Sequence, residues 1–314
     1  MKIGKIFAFA FVAAAPGVYG WGAVGHHAVG YVAMNFLAPK ALNFVQNSLG
    51  PAYNNSLGPA ASWPDEIKSD PATWGWSNEL HYVDALDDPP TSCSVDQKRD
   101  CANGKCILTA IANYTIRVAD TRLDAEQRQQ ALKFLGMIPF VGDIGQPLHV
   151  ENIAVGGNSI SVKCNGKTSN LHSVWDSGLV NNLVAANYGN SETVWADALA
   201  ARIKKGGAYA SSASSWITCS STTTTAKKSL LPWIYGLLDT QEIQPLECPL
   251  VWARESNKFD CSYVFSYANG TDLCTSDYYS GAVPIIETQI AKQGYRLAAW
   301  LNVIFDGSTK LPLK

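Results

Sequence analysis

The stretch Leu171-His172-Ser173-Val174-Trp175-Asp176 places a histidine and an aspartate four residues apart. On a helix, residues with this spacing leave the same face, so the two side chains can hold one cation. Taken alone, the pattern His-x-x-x-Asp favours an ordinary hydrogen bond on a helix surface. It predicts a helix here, and ligands elsewhere in the chain decide whether it also marks a metal site.

Four other segments contain histidine or aspartate in comparable patterns. They are Gly142-Asp-Ile-Gly-Gln-Pro-Leu-His149, Ser62-Trp-Pro-Asp-Glu-Ile-Lys68, His81-Tyr-Val-Asp84 and Trp21-Gly-Ala-Val-Gly-His26. In the first of them, Asp143 can close one helix and His149 can open the next segment after Pro147. Four of the five histidines of the chain lie in these patterns. Histidine and aspartate together are typical zinc ligands, so the sequence predicts a zinc site.

The first twenty residues are typical of a secretory signal peptide. Lys2 and Lys5 precede an apolar run over residues 6–16, and small residues lie just before Trp21. We therefore expect residues 1–20 to be removed and residues 21–314 to form one catalytic domain that is secreted to the extracellular space. Cleavage would create a free amine on Trp21, whose pKa of about 8 lets a metal displace its proton, five residues before His26.

Composition excludes some classes of function. Of the 314 residues, 47% are apolar and 16% are charged, so the chain can bury a substantial core and is not disordered as a whole. The net charge of -2 excludes a polyanion held by a basic field over the whole surface. A nucleic acid bound at a metal site stays compatible with this charge, because bound cations add local positive charge that side-chain counts omit.

Eight cysteines on a secretory route favour disulfides over thiolate metal sites. Cys101 and Cys106 enclose a short loop and are predicted to pair. Glycosylation sequons at Asn54, Asn113 and Asn269 predict exposed positions that can carry N-linked sugar.

Helical periodicity dominates the chain. Apolar residues recur at helical spacing over residues 24–37, 107–118, 125–135 and, most clearly, 286–304. Alternation at Ile160, Val162 and Cys164 runs into Asn165-Gly166, a dipeptide that favours a hairpin turn. The Ser/Thr-rich stretch 211–225 predicts a surface loop. The sequence thus predicts a single mainly α domain of many helices with one small β-hairpin.

In their order along the chain, these motifs resemble the zinc-dependent single-strand-specific nucleases of fungi and plants, the S1/P1 nuclease family, which is related to bacterial zinc phospholipase C. The resemblance covers nearly all of residues 21–314. Besides the patterns above it includes Asp87-x-Pro-Pro90, Asp100-Cys101, Gly156-Gly-Asn158, Asn170-Leu-His-Ser-x-Trp-Asp176 and Gly294-Tyr-Arg-Leu-Ala298.

The resemblance implies three zinc ions in a mainly helical fold of the zinc phospholipase C and single-strand nuclease type. Each zinc would have its own ligand set. The first set is Asp65, His81, Asp143 and one further histidine; the second is His149, His172 and Asp176; the third is the amine and carbonyl of Trp21, His26 and a bridging Asp143. Closely spaced zinc ions generate hydroxide near neutral pH and neutralise charge on a leaving oxygen, so no serine or cysteine nucleophile is required.

The resemblance also assigns the substrate contacts. Asp65 and Lys68 would serve catalysis, with Lys68 on a phosphate oxygen where the best-known member has arginine. Tyr82 would stack a nucleobase and Asp84 would accept from its N–H groups, although Tyr82 also fits a half-buried core aromatic and Asp84 a cap or turn residue. The enzyme would be a monomer with no membrane partner that cleaves RNA and single-stranded DNA to 5′-phosphorylated products and removes the phosphate of 3′-nucleotides. Cys93 would pair with Cys261.

The chain departs from the family pattern in one place. The remaining histidine ligand of the first zinc lies four residues before Asp143 in the family, and Pro139 occupies that position here. The segment is also longer than in members that have Val-His in place of residues 136–139. Either the segment is real and the first zinc has lost a ligand, or a misplaced splice boundary replaced Val-His. His27 cannot substitute, because it points roughly 100° away from His26 on a helix.

Two other functions stay open on the sequence. One is a phospholipase-C-like phosphodiesterase on the same zinc scaffold, against which Tyr82 and Asp84 favour a nucleobase over a lipid head group. The other is an inactive or altered secreted glycoprotein that keeps one or two structural zinc ions, for which Pro139 is the main support.

Overall fold

The computed structural model describes residues 21–61, 63, 67, 70–137, 140–220 and 247–311. The predicted signal peptide, together with Asp65, Lys68 and Pro139, lies outside the described residues. Within them the chain is mainly helical, and strands form a two-stranded antiparallel ribbon. The predicted fold class, mainly α with a small β-hairpin, is confirmed.

The helices follow one another along the chain as a series of α-helices joined by shorter turns. The α-helices are α1 Ala23–Met34, α2 Pro39–Leu49, α3 Leu57–Ala60, α4 Pro71–Trp74, α5 Gln97–Asp100, α6 Ile107–Ala119, α7 Ala125–Leu132, α8 Phe140–Asp143, α9 Leu171–Ser173, α10 Leu179–Tyr188, α11 Glu192–Ile203, α12 Ala210–Trp216, α13 Glu247–Phe259 and α14 Asp277–Asp306. The 3₁₀ segments are Pro51–Tyr53, Gly75–His81, Pro147–Val150 and Thr218–Ser220, and the π-helical turns are Lys133–Met137, Val174–Gly178 and Asp260–Val264.

The four stretches of helical periodicity are confirmed as α1, α6, α7 and α14. The last is the centre of the packing: Ile286, Ile290, Leu297 and Leu301 lie on its buried face, and it contacts α1, α2, α8 and α11. A long helix that is apolar on one face and contacts many neighbours serves as the common wall of the core.

Helix α14 also holds the segment that contains two of the candidate ligands. Gln289 Nε2 donates to the Gly145 carbonyl at 2.7 Å, between Asp143 and His149 in the sequence. Farther along the helix, Trp300 Nε1 donates to Thr115 Oγ1 at 2.8 Å. Both bonds are buried, and a buried hydrogen bond is costly to lose. Helix α14 therefore fixes the position of the segment between Asp143 and His149.

The β-hairpin is confirmed just before His172. Strands β1 Ser161–Cys164 and β2 Lys167–Asn170 pair antiparallel, with Cys164 opposite Lys167 at the turn. Asn165 and Gly166 both have positive φ, at 52° and 75°, as a type I′ turn requires. The strand therefore delivers the chain into α9, where the first candidate ligand pair begins.

The prediction of a surface loop over residues 211–225 is wrong for its first part. Helix α12 covers Ala210–Trp216, and residues 221–225 lie outside the described residues. Ala213 and Trp216, three residues apart, are both buried, and Arg296 Nε donates to the Trp216 carbonyl at 3.0 Å. Burial of this apolar pair outweighs the weak helix propensity of the serines around it.

Four disulfides are present, and three of them link segments that are distant in the sequence. The structure contains Cys93–Cys261 and Cys101–Cys106, and it adds Cys164–Cys274 and Cys219–Cys248, which the sequence left unassigned. The three sequon asparagines, Asn54, Asn113 and Asn269, are all exposed. Among the described residues, none of the helices combines the length and the hydropathy needed to cross a bilayer.

One buried carboxyl group has an unusual environment. Asp260, at the start of a π-helical turn, is 1% exposed. Burial raises the pKa of this carboxyl well above its ordinary value, and the negative charges of Glu151 and Asp87 raise it further, against a smaller opposite effect of Asn257. The folded protein therefore keeps a proton on Asp260 at pH values where the unfolded chain has lost it.

The proton on Asp260 should make the stability of the protein depend on pH. Because the pKa is raised in the folded state, the contribution of Asp260 is most favourable below its ordinary pKa and is lost as the pH rises toward the folded-state pKa. We expect Asp260→Asn, which cannot ionise, to flatten the fall in the free energy of unfolding as the pH rises above the ordinary pKa of an aspartate, about 4. Urea unfolding with disulfides intact measures this, with the exposed Asp197→Asn as control. An unchanged pH dependence in Asp260→Asn would contradict the assignment.

Candidate metal centre

The predicted pair His172 and Asp176 converges with His149 on one buried point. His172 Nε2 lies 3.2 Å from Asp176 Oδ2, and His149 Nε2 lies 3.1 Å from His172 Nε2 and 3.9 Å from Asp176 Oδ1. The three ligand atoms lie within 4.8 Å of one another, and all three residues are buried. Asp176 stands in the π-helical turn Val174–Gly178 that follows α9, so the predicted helix changes its pitch between the two ligands.

Backbone carbonyls orient both imidazoles of this group. His172 Nδ1 lies 2.7 Å from the Gly156 carbonyl, and His149 Nδ1 lies 2.8 Å from the His81 carbonyl. A carbonyl only accepts, so each Nδ1 carries the proton and each Nε2 presents its lone pair. Two lone pairs at such short range repel each other unless they share a cation, and this donor set fits zinc.

The close approach of Gly156 to His172 depends on the absence of a side chain. Gly156 has φ of +55°, and a Cβ there would lie 2.7 Å from the Leu148 carbonyl oxygen. Only glycine tolerates both the conformation and the contact. This explains why the glycine pair of the loop after His149 belongs to the same pattern as the histidines.

Gln146 fixes the carboxylate of the group. Its Nε2 donates to Asp176 Oδ1 at 2.6 Å, and its Oε1 accepts from the Leu148 N–H at 2.7 Å. The second bond defines which end of the amide is oxygen, so the nitrogen must face Asp176. Gln146 is fully buried and lies between Asp143 and His149 in the sequence.

A second cluster forms around Asp143, at the end of α8. The Asp143 side chain is 0% exposed; its Oδ2 lies 2.9 Å from His81 Nδ1 and its Oδ1 lies 3.4 Å from His26 Nε2. Each oxygen of one carboxylate thus faces a different imidazole. A carboxylate in this position can bridge two cations, as the resemblance implies for Asp143.

The described N-terminal residues fold into the same region. The Gly22 N–H donates to the Asp176 carbonyl at 2.7 Å, and Trp21 is fully buried. A Cβ at Gly25 would lie 2.6 Å from Trp21 Cβ, so this close packing requires glycine. The motif Trp-Gly-x-x-Gly-His therefore packs its tryptophan under α1 and brings His26 to Asp143.

The two clusters are joined through the segment that follows His81. His149 bonds to the His81 carbonyl through Nδ1, and the Val83 N–H donates to the His149 carbonyl at 2.9 Å. A displacement of one segment would therefore move ligands of both clusters.

Tyr82 and Asp84 occupy the outer side of this segment. Tyr82 is half-buried; burial and then the charges of Asp84 and Glu79 raise the pKa of its phenol. Asp84 is exposed at the surface, where partial loss of hydration and then the charge of Asp100 raise the pKa of its carboxyl. The two side chains are electrostatic neighbours and follow directly after His81, the histidine that faces Asp143.

The comparisons with known proteins agree with this geometry. The family model described as S1/P1 Nuclease matches residues 21–306. The chain belongs to the S1/P1 nuclease family. Nuclease PA3 of a Penicillium species and Nuclease P1 of Penicillium citrinum are each 38% identical to it over 288 residues, which cover 90% of this chain and 97% of theirs. This chain is also similar to the crystal structure of alpha-toxin from Clostridium perfringens, with a TM-score of 0.41 and 16% sequence identity. The alignment covers 94% of this chain and 66% of the toxin chain.

The segment before Asp143 changes its helix type within the described residues. The π-helical turn Lys133–Met137 follows α7 directly, and Asp143 lies at the end of α8. A π-turn takes more residues per turn than an α-helix, so the chain changes its helical pitch shortly before α8. Asp65, Lys68 and Pro139 lie outside the described residues, so their predicted roles stay predictions.

His27, the histidine that the sequence left unassigned, takes no part in the cluster around Asp143. Its Nδ1 lies 2.6 Å from Glu192 Oε2 on α11. The neighbouring His26 faces Asp143, so the two consecutive histidines have different partners on different faces of α1. Sequence reasoning missed Gln146, although its position between two predicted ligands could have indicated a supporting role.

The two neighbouring histidines make a matched test. We expect His26→Gln to lower the zinc content of the purified protein, because it removes an imidazole that faces Asp143. His27→Gln should leave the zinc content unchanged, because its partner is Glu192. Metal analysis of the two variants measures this, and equal zinc content in both would contradict the geometry.

Gln146 should act on metal affinity without being a ligand. Loss of an outer hydrogen bond to a ligating carboxylate weakens metal binding about 10- to 100-fold, so we expect Gln146→Ala to lower zinc affinity by such a factor. Competition with a fluorescent zinc chelator measures it, with Gln146→Met as a variant of similar length that has no hydrogen-bond donor. Wild-type affinity in Gln146→Ala would show that the bond to Asp176 does not support the site.

Proposed function

We propose that this chain is a secreted zinc-dependent nuclease that hydrolyses RNA and single-stranded DNA to 5′-phosphorylated products and also acts as a 3′-nucleotidase. The observation that carries the proposal is the convergence of His149, His172 and Asp176 within 4.8 Å, in a chain of the S1/P1 nuclease family. The histidine tautomers, fixed by backbone carbonyls, turn both Nε2 atoms toward this point.

Three zinc sites follow from this proposal. They would be held by His149, His172 and Asp176; by Trp21, His26 and Asp143; and by Asp65, His81 and Asp143. When bound, zinc would polarise a phosphoryl oxygen and lower the pKa of a coordinated water to near neutrality. The first of these sets has support from its short distances, and the sharing of Asp143 has support from its two imidazole contacts.

Residues around the proposed ligands would orient them and bind the phosphate of the substrate. Gln146 holds the Asp176 carboxylate in one orientation, and the carbonyls of Gly156 and His81 keep the two imidazoles from rotating. Lys68 would hold a phosphate oxygen as a point charge, and it would bind less directionally than the arginine fork of the best-known member.

Selectivity for single strands would come from Tyr82 and Asp84. A half-buried tyrosine offers a ring face on which an unpaired base can stack, whereas a paired base is already stacked in its duplex. Asp84 would accept hydrogen bonds from base N–H groups, and its exposed position supports this role.

Secretion would couple maturation to metal binding. Removal of residues 1–20 would free the Trp21 amine beside His26, and the single domain of residues 21–314 would then act as a glycosylated monomer. Four disulfides support the oxidising route.

The sequence departure at Pro139 favours a second candidate, an altered or inactive zinc-binding glycoprotein of the same fold. It would bind fewer than three zinc ions and cleave neither denatured DNA nor RNA. Zinc stoichiometry measured beside nuclease activity separates it from the enzyme.

The proposed activity predicts a clear effect of one ligand. We expect His172→Ala to reduce hydrolysis of denatured DNA at least about 100-fold, because it opens the set in which His149 and Asp176 take part. The matched control is His27→Ala, which should retain activity. The assay compares denatured with duplex DNA before and after zinc removal and restoration. Near-normal turnover in His172→Ala would contradict the proposal.

A further inference from the structure

Trp76 is an exposed aromatic residue close to the proposed centre. It is 54% exposed and stands on the 3₁₀ segment Gly75–His81, which ends at the candidate ligand His81. A 3₁₀ segment rises about 2.0 Å per residue, so the five residues from Trp76 to His81 span about 10 Å along the segment. Trp76 therefore lies near the proposed centre and outside it.

The Trp76 ring belongs to a supported aromatic wall. Its centroid lies 5.6 Å from Phe134 and 6.3 Å from Trp74. The wall continues inward from Phe134 to Phe140 at 6.0 Å and from Phe140 to His81 at 5.3 Å. Because the buried Phe134 ring and the half-buried Trp74 ring pack against it, the Trp76 ring is restrained and keeps one face exposed.

A groove opens beside the same wall. Its volume is about 280 Å³, and its lining includes Trp74, Glu126, Gln130 and Lys133. The lining joins an aromatic face to amide, carboxylate and ammonium groups. This combination suits a heterocyclic base with N–H and carbonyl edges, and it suits an acyl chain poorly.

We propose that the Trp76 face and the adjacent groove bind a nucleobase of single-stranded nucleic acid, at a position distinct from Tyr82. This inference rests on the proposed function, since a strand that enters the zinc cluster must continue past one of its edges. Tyr82 and Trp76 lie on one continuous stretch of chain, on either side of His81. A strand with one base at Tyr82 can thus place a neighbouring base on Trp76, and binding should strengthen with strand length.

The test compares strands of different length on the zinc-loaded protein as purified. The long probe is a fluorescent oligothymidylate of about ten nucleotides with phosphorothioate linkages, checked for intactness after titration. The short probe is a 3′-mononucleotide, followed through its KM. We expect Trp76→Ala to raise the Kd of the long probe about tenfold and to leave the KM of the mononucleotide unchanged. Trp76→Phe should restore most of the affinity, because it keeps a ring.

Several results would overturn the inference. An unchanged Kd in Trp76→Ala would do so, as would an equal loss for the long probe and the mononucleotide, which would mean that Trp76 acts by positioning His81. The control is Val194→Ala, an equally exposed apolar residue on α11, which should bind like the wild type. A vesicle or protein partner at this wall would leave oligonucleotide binding untouched and would also overturn it.

The failure of the proposed function has a different signature. A wild-type protein that binds no zinc and cleaves no nucleic acid would refute that function, whereas the Kd difference between wild type and Trp76→Ala would still report on the base position. Thermal unfolding of each variant checks that the fold is retained.

Discussion

The fully buried carboxylate of Asp143 is the constraint on which the rest of the site depends. A carboxylate removed from water is costly unless positive or hydrogen-bonding groups surround it. Here each oxygen faces an imidazole, one from α1 and one from the end of the 3₁₀ segment before Tyr82. Three segments that are distant in the sequence must therefore meet at this residue, and the helical core is built to bring them there.

The framework fixes this meeting point mainly through the backbone. Helix α14 holds the chain beside Asp143 by a buried bond to a carbonyl, and carbonyls of His81 and Gly156 set the two imidazoles of the neighbouring group. Backbone acceptors cannot rotate away as side chains can, so they hold the candidate ligands His149 and His172 in fixed orientations. The same arrangement links both clusters, because His149 takes its orientation from His81.

Local patterns in the sequence predicted the parts of this fold that depend on neighbours in the chain. The apolar stripe that became α14, the Asn165-Gly166 hairpin and the His-x-x-x-Asp pair are such cases. The π-helical turns at 133–137 and 174–178 escaped prediction, because the spacing of apolar residues does not distinguish a single π-turn from an α-helix. Helix α12 escaped because two buried side chains outweighed a run of serines. Gln146 escaped because its role depends on Asp176, thirty residues away in the sequence.

Diffraction from crystals of the zinc-loaded protein, with data on both sides of the zinc absorption edge, tests the central claim most directly. The account predicts an anomalous peak about 2.1 Å from Nε2 of His149 and of His172, and a further peak in contact with the Asp143 carboxylate. Crystals soaked in zinc that give no peak at His149, His172 and Asp176 would contradict it.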